Sequence, residues 1–338
     1  MGRKIRFAVV GTGYIGRRHA TMIQENREAE LVALVDSDQE LEKGLTASYK
    51  VPFFSSLEKL LESELIYDVI NICTPNSFHA EMAVQALKNG HHVVIEKPMA
   101  LNTSDCLDVI SLSRERERLV FCVMQNRYSS PSQWLKQLVS SGKLGNINQV
   151  HINCFWNRDI RYYSKSRWKG TRKFDGGTLY TQFSHFVDTM YWLFGDITNI
   201  TSRLKNFSHE GMIDFEDSGI VLFDFVNGGT GTFNYTTSCW DTNFESSITI
   251  IGSEGSVKVG GQYMNKVEYC HVKDYTMPEL APVNPPNDYG DYKGSAANHH
   301  FVIQNVIDTL MERGEATTNA YEGIKVVEII EKVYRAGS

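Results

Sequence analysis

The sequence predicts an α/β chain: an N-terminal parallel sheet wrapped by helices, then a second region with an antiparallel sheet and a few helices. Three observations predict it. Up to about residue 123, short apolar runs alternate with helical stretches, the texture of βαβ crossovers. Beyond it, apolar and polar residues alternate, with glycine-rich turns such as Asn227-Gly228-Gly229 and few helices between, the texture of antiparallel strands. And the first strand runs into Gly11-Thr12-Gly13-Tyr14-Ile15-Gly16, a turn that opens a helix.

Taken in order, Ile5 to Val10 reads as a strand, Tyr14 to Gln24 as a helix, and Leu31 to Val35 as a strand ending at Asp36. Asp68 to Ile72 is the next strand. The helix from His79 to Lys88 stops at Asn89-Gly90, a strong C-terminal signal. His92 to Ile95 and Leu119 to Val123 complete this domain, residues 1–123. In the second domain, residues 124–338, strands are expected over 147–156, 196–207, 216–226, 229–237, 244–251, 256–259 and 266–272. A helix over 177–193 interrupts them, 274–297 is a Pro/Gly/Asn/Tyr loop, and helices over 298–312 and 321–335 close the chain.

The 338 residues suffice for two cores. Formal charge is 34 − 40 = −6, so the basic footprint of a nucleic-acid binder is missing. None of the six cysteines forms a C-x-x-C pair, and free thiols in a reducing compartment are expected. The first strand starts within a few residues of Met1, and no apolar run approaches the ~20 residues that span a bilayer. The expectation is a soluble cytoplasmic protein without membrane contact, in which the sequons at Asn199, Asn206 and Asn234 carry no meaning.

A lone G-x-G-x-x-G is weak evidence, but here it sits between a strand and a helix, the context that makes it a dinucleotide site. Glycine allows the tight turn and the approach of a pyrophosphate, and a helix N-terminus favours its negative charge. Asp36 follows Gly16 by twenty residues, where an acid accepts from the adenosine ribose hydroxyls. Ser37 and Asp38 come next, with no Lys or Arg before Lys43. A 2′-phosphate would be repelled there, so NAD is expected over NADP, a preference that Arg17 and Arg18 soften. Cys73-Thr74-Pro75-Asn76 follows the fourth strand; it reads either as a contact to the nicotinamide half or as an ordinary β-to-α turn. Val94-Ile95-Glu96-Lys97-Pro98 ends another strand on a lysine, at the sheet edge where open α/β sheets bind ligands.

Gly11-x-Gly13-x-x-Gly16, Cys73-Thr74-Pro75-Asn76-x-x-His79, Glu96-Lys97-Pro98 and Gly176-Gly177-x-Leu179 leading to His185-x-x-Asp188 together resemble the glucose–fructose oxidoreductase / inositol dehydrogenase / MocA family, Gfo/Idh/MocA. The resemblance spans nearly the whole chain. It implies an N-terminal Rossmann domain, a C-terminal α/β domain with a large open antiparallel sheet, and hydride transfer between a nicotinamide and a sugar or polyol carbon. It also implies a homodimer or homotetramer assembled through that sheet, and a cis bond before Pro98. Carried over, Lys97 and His185 are the catalytic pair. Histidine titrates near ~6.5 and takes a hydroxyl proton with little tuning, whereas lysine near ~10.4 does not. His185 is therefore read as the base and Lys97 as the cation at the reacting oxygen. The expected cofactor contacts are Gly11, Gly13, Tyr14, Ile15, Gly16, Asp36, Thr74, Pro75, Asn76, His79, Glu96, Lys97, Gln125 and Trp168.

Many relatives carry Asp four residues before the histidine, one helical turn away; this chain has Thr181. Asp188, three residues after His185, either orients it or caps local structure. The stretch from Tyr162 to Thr171 and the region Gly176 to Gly195 look most like the branch acting on UDP-N-acetylglucosaminuronic acid, whose members tend to have an uncharged residue at the Thr181 position. The substrate-facing residues are then Lys97, Arg127, Arg158, Arg161, Tyr163, Arg167, Thr181, His185 and His299, the arginines matching an anionic sugar nucleotide. His299 and the adjacent His300 cannot share a helix face, so no metal site is expected. The competing readings are a polyol or monosaccharide dehydrogenase, which does not need the arginines, and a non-catalytic NAD-sensing regulator, which does not need Lys97 and His185.

Overall fold

The computed structural model describes residues 3–166, 168–290 and 292–337. Contacts divide the chain into two compact units, Met1–Met124 with His299–Val327, and Gln125–Asn298 with Glu328–Ser338.

The first unit is built on β1 (Ile5–Val10), β2 (Ala29–Val35), β3 (Phe53–Phe54), β4 (Val69–Ile72), β5 (His92–Ile95) and β6 (Val120–Cys122). They form one parallel sheet in the order β3-β2-β1-β4-β5-β6. The connections hold α1 (Tyr14–Glu25), α2 (Glu42–Tyr49), α3 (Leu57–Leu61), α4 (His79–Lys88) and α5 (Thr103–Glu115). Every residue of β4 is buried, as expected of a strand covered on both faces; it is apolar except for Asn71, whose amide meets His19. The strand order reverses direction between β1 and β4, and the loops after those two strands open at that switch point, where such sheets bind ligands.

The elements of this unit missing from the sequence reading, α2, β3, α3 and α5, are short or polar. α5 is fixed largely by its cap: the Asn102 side chain accepts from the Asp105 N–H at 2.8 Å, an interaction worth about 1 kcal/mol.

The second unit carries α6 (Ser130–Ser140), β7 (Ile147–Phe155), α7 (Ile160–Tyr163), α8 (Ser184–Phe194), β8 (Ile197–Lys205), β9 (Ser218–Phe225), β10 (Thr230–Thr236), β11 (Glu245–Gly252), β12 (Gly255–Gly260) and β13 (Lys266–Val272). The seven strands make one sheet in the order β13-β12-β11-β7-β10-β9-β8. It is mixed rather than purely antiparallel, because β10 runs parallel to β7. Two antiparallel meanders, β8-β9-β10 and β11-β12-β13, flank β7; β10 and β11 run in opposite directions, so β11 pairs with β7 antiparallel and β10 parallel. The loop expected over 274–297 contains a short hairpin of β14 (Pro286–Asp288) and β15 (Lys293–Ala296).

One face of the large sheet is packed with aromatic rings. Trp156 meets Phe183 and Phe186 edge-on at 5.3 and 5.7 Å, and Phe194 lies 5.0 Å from Phe225. Each such burial stabilises by roughly 1.5–3 kcal/mol, and together they seat α8 on the sheet. The helix expected over 177–193 begins with a π-helical turn, Leu179–Phe183, before regular α8.

The last helices are α9 (His299–Leu310) and α10 (Ala320–Ala336). A boundary after residue 123, with all that follows in one second domain, does not describe the return of His299–Val327 to the first unit. That return follows from α9's apolar stripe: Val302, Ile303, Val306 and Ile307 are buried, while Gln304 binds the Asn26 amide at 2.9 Å and Arg313 pairs with Glu28. All six cysteines are free thiols. Among the described residues, no helix is long and apolar enough to cross a membrane.

Candidate active site

In the turn after β1, two of the three glycines are required by the protein itself. Gly11 has φ +86°, and a Cβ there would lie 2.7 Å from the Cys73 carbonyl oxygen. A Cβ on Gly16 would lie 1.7 Å from the Gly11 oxygen. Gly13 differs: an added Cβ meets nothing within 4 Å. Gly13 caps α1 without a side-chain hydrogen bond, so the first amide groups of the helix face a cradle open to an anion. Asp36 Oδ2 accepts from the backbone N–H and the hydroxyl of Thr12, both at 2.7 Å. This ties the acid at the end of β2 to the glycine turn, and Tyr14 is exposed beside it. The turn, the helix N-terminus and the placed acid fit an adenine dinucleotide.

The glycines therefore separate experimentally. Gly16→Ala is expected to destabilise the first unit by about 3 kcal/mol or more, because its Cβ meets backbone. Gly13→Ala leaves the melting temperature near wild type and weakens NADH binding about tenfold, or ~1.4 kcal/mol. Thermal melts and NADH titrations of both variants check this; equal effects on folding would refute it.

The loops after β4 and β5 are braced together. His79 is buried, its Nδ1 lying 2.7 Å from the Pro98 oxygen and its Nε2 2.8 Å from the Thr74 oxygen. Pro98 follows a cis bond, as the resemblance implies. Glu96 is 7% exposed. Its Oε1 lies 3.1 Å from His19 Nε2 and 3.6 Å from His299 Nε2, and its Oε2 accepts from the Lys97 N–H at 3.1 Å. Burial would raise the Glu96 carboxyl, but the His19 hydrogen bond and the neighbouring histidines and Lys97 bring it down to about 2. Burial pushes His299 down to about 3, leaving the ring neutral. The side chains of His79, Glu96 and His299 are thus turned into the protein. His79 and Glu96, expected at the cofactor, and His299, expected at the substrate, are thus also joined to other residues of the first unit.

In the second unit, His185 is buried on α8, its Nε2 3.1 Å from the Gln125 amide nitrogen. Gln125, expected at the cofactor, thus orients the histidine. The Thr181 hydroxyl donates to the Asp175 carboxylate, and Asp175 also accepts from the Gly170 N–H at 2.8 Å. The π-helical turn shifts the register before His185, so the four-residue spacing is not one regular turn. Asp175, missed in the sequence, is the buried acid beside Thr181; the run Asp175-Gly176-Gly177 just before the helix was the available signal. Tyr334 anchors the turn, accepting from the Leu179 N–H at 3.2 Å and donating to Glu216 at 2.7 Å.

The expected substrate cations divide. Arg127 is fully buried and forms a two-point pair with Asp188, at 2.8 and 2.7 Å. Asp188 therefore serves Arg127, not His185. Arg158 is also buried: its guanidinium binds Gln182 at 2.8 Å and the Lys293 oxygen at 3.0 Å, and lies 4.8 Å from the Trp156 and Tyr292 ring centres. Tyr163 belongs to a core cluster with Tyr162, Ile213 and Phe215. All three expected substrate contacts are buried, with partners inside the second unit. Arg161 remains partly exposed, forked onto Asp159 at 2.9 Å and near Asp241 at 3.2 Å. Lys169 stands 3.8 Å over the Tyr162 ring, and Trp168 is partly exposed in the adjacent turn. Arg167 lies outside the described residues.

Comparison with known proteins agrees with this geometry. A family model for an oxidoreductase family with an NAD-binding Rossmann fold matches residues 5–124, and one for the GFO/IDH/MocA C-terminal domain matches residues 132–258. The structure of the WlbA dehydrogenase from Bordetella pertussis, in complex with NADH and UDP-GlcNAcA, is similar with a TM-score of 0.88 at 31% identity, over 99% of this chain and 97% of that one. The WlbA structure from Chromobacterium violaceum, also with NADH and UDP-GlcNAcA, gives 0.89 at 29% identity, over 100% and 94%. Glucose-6-phosphate 3-dehydrogenase of Bacillus subtilis is 24% identical over 98% of this chain and 96% of its own length.

Proposed function

The chain belongs to the Gfo/Idh/MocA family of NAD-dependent oxidoreductases, and from that premise we propose that it oxidises the 3-hydroxyl of a UDP-N-acetylhexosaminuronic acid. The observation that carries this reading is the end-to-end likeness to the two WlbA dehydrogenases crystallised with NADH and UDP-GlcNAcA. NAD, when bound, accepts the hydride. Gly13, the start of α1 and Asp36 hold its adenosine and pyrophosphate half, with Tyr14, Ile15, Thr74, Pro75, Asn76 and Trp168 as further contacts. Lys97 donates a hydrogen bond to the reacting oxygen and steadies its growing negative charge. His185, oriented by Gln125, takes the hydroxyl proton as the C3–H bond gives its electron pair to the nicotinamide. The C–O bond becomes a carbonyl, leaving a 3-keto sugar, a protonated His185 and NADH. Thr181, backed by Asp175, and Arg161 contact the sugar nucleotide.

The same reading gives the chain a second copy of itself as partner, in the cytoplasm. On β9, Ile220 and Leu222 are 63% and 51% exposed, opposite in facing to the buried Val221 and Phe223, and an apolar sheet face of this kind is commonly closed by symmetric association.

The test is NADH fluorescence of the purified protein with NAD and UDP-N-acetylglucosaminuronate, UDP-N-acetylglucosamine, myo-inositol or glucose. The expected signal appears with the uronate alone and weakens about tenfold in KM in Arg161→Ala, the loss of one exposed charge contact. A signal with inositol or glucose, indifferent to Arg161, would assign a polyol substrate instead. Silence with all four while NADH still binds would favour a regulator.

A further inference from the structure

The first unit contains a buried group of titratable side chains that the proposed reaction does not use directly. Glu96, His19 and His299 come from the end of β5, from α1 and from α9, three segments far apart in sequence. The His19 Nδ1 faces the Asn71 amide nitrogen at 2.9 Å. It therefore accepts, and His19 Nε2 carries the proton that is donated to Glu96 at 3.1 Å. His299 meets the His19 ring edge-on at 5.7 Å and closes on the same carboxylate oxygen at 3.6 Å. The remaining oxygen holds the Lys97 backbone N–H at 3.1 Å. An anion buried to this degree is costly unless charge and hydrogen bonds compensate it. The His19 imidazole supplies a hydrogen bond, and His299 stands against the same oxygen. The His19 hydrogen bond is the largest effect that keeps Glu96 ionised, followed by the electrostatic effects of His299, His19 and the Lys97 ammonium.

We propose that Glu96 is a positioning residue for Lys97: a carboxylate clamped by His19 and His299 that fixes the lysine backbone through one oxygen and holds its side chain in the cationic form. His19 and His299 act through Glu96 and do not touch substrate. This rests on the reading of Lys97 as the cation at the reacting oxygen. The other titratable or charged groups that act electrostatically on the cluster are Arg18 on α1, His79 on α4 and Cys73 after β4. Of these Arg18 opposes the cation, while burial pushes the His79 imidazole down and the Cys73 thiol up.

The test is the rate at which trinitrobenzenesulfonate modifies Lys97 near pH ~8, followed by mass spectrometry of its peptide, in wild type, Glu96→Gln and Glu96→Asp. Only the uncharged amine reacts. Removing the charge while keeping the shape is expected to raise the rate about tenfold in Glu96→Gln, the effect of one pKa unit. Glu96→Asp, which keeps the charge, stays within about threefold of wild type, which a purely structural role would not produce. Turnover in Glu96→Gln falls at least tenfold with the NADH dissociation constant within threefold, about what loss of charge stabilisation implies. Equal labelling of all three folded proteins overturns the proposal, as does a stoichiometric divalent metal in the purified protein, since the ligand atoms of the three residues lie within 4.8 Å of one another. Should Glu96→Gln not fold, His299→Ala, which loosens the clamp and keeps the charge, is expected to lose turnover several-fold with NADH binding intact; unchanged turnover overturns the clamp. Labelling needs no substrate, so a silent sugar panel with the labelling contrast intact sinks the substrate reading and leaves this inference standing.

Discussion

Lys97→Met lowers turnover by about 10²–10³-fold, the usual worth of one preorganised donor at a developing oxyanion, and leaves NADH binding near wild type. His185→Asn lowers it by about 10²–10⁴-fold, the range for removing a general base. The two variants separate by pH. A base must be neutral to accept a proton, so wild-type kcat/KM falls on the acid side as His185 becomes protonated. In His185→Asn that acid limb disappears, while in Lys97→Met it persists at a lower rate. The measurement is a pH profile of NADH formation with the uronate, together with NADH titrations to show that both variants remain folded and loaded. If His185→Asn retains the acid limb, another residue is the base. If Lys97→Met loses NADH binding rather than turnover, Lys97 belongs to the cofactor site alone.

The parallel sheet was legible because buried parallel strands write themselves as apolar runs between turn signals, and the glycine turn was legible because backbone collisions at Gly11 and Gly16 leave no other residue type. The strands of the second sheet were legible by alternation, but their direction was not. Nothing in the residues of β10 says that it lies beside β7 rather than at an edge, and that neighbour makes one pairing parallel.

The site residues divide on the same principle. Asp36 and Lys97 sit where strands end, a position that sequence marks. Local pattern cannot show which way a long side chain turns once it is placed. The arginines between β6 and α8 were read as ligands for an anion, yet Arg127 and Arg158 are buried on partners 61 and 24 residues away. His299 was expected at the substrate because it opens a helix after a loop; its ring meets a glutamate more than 200 residues earlier. A π-helical turn has no strong residue preference, so the shifted register ahead of His185 and the contact between Thr181 and Asp175 appear only in three dimensions.

Asp188 shows what such a misplacement changes in practice. A residue orienting His185 would, when replaced, alter the pH profile and leave stability nearly alone. A partner of a wholly buried arginine does the opposite. Arg127 and Asp188 are both fully buried, joined by two hydrogen bonds, with the guanidinium 5.3 Å from the Trp192 ring centre. Asp188→Ala strands that cation in a low-dielectric site, expected to cost about 3–5 kcal/mol and to lower the melting temperature by about 10 °C. The pair itself is less valuable than its removal suggests, because two charges were desolvated to make it. Arg127→Met combined with Asp188→Leu keeps the volume and removes both charges, and is expected to recover most of the stability lost by Asp188→Ala. Calorimetry of the single and double variants decides. A double variant as unstable as the single one would mean that the polar network itself, rather than the compensation of a stranded charge, holds α8 against the turn that carries Arg127.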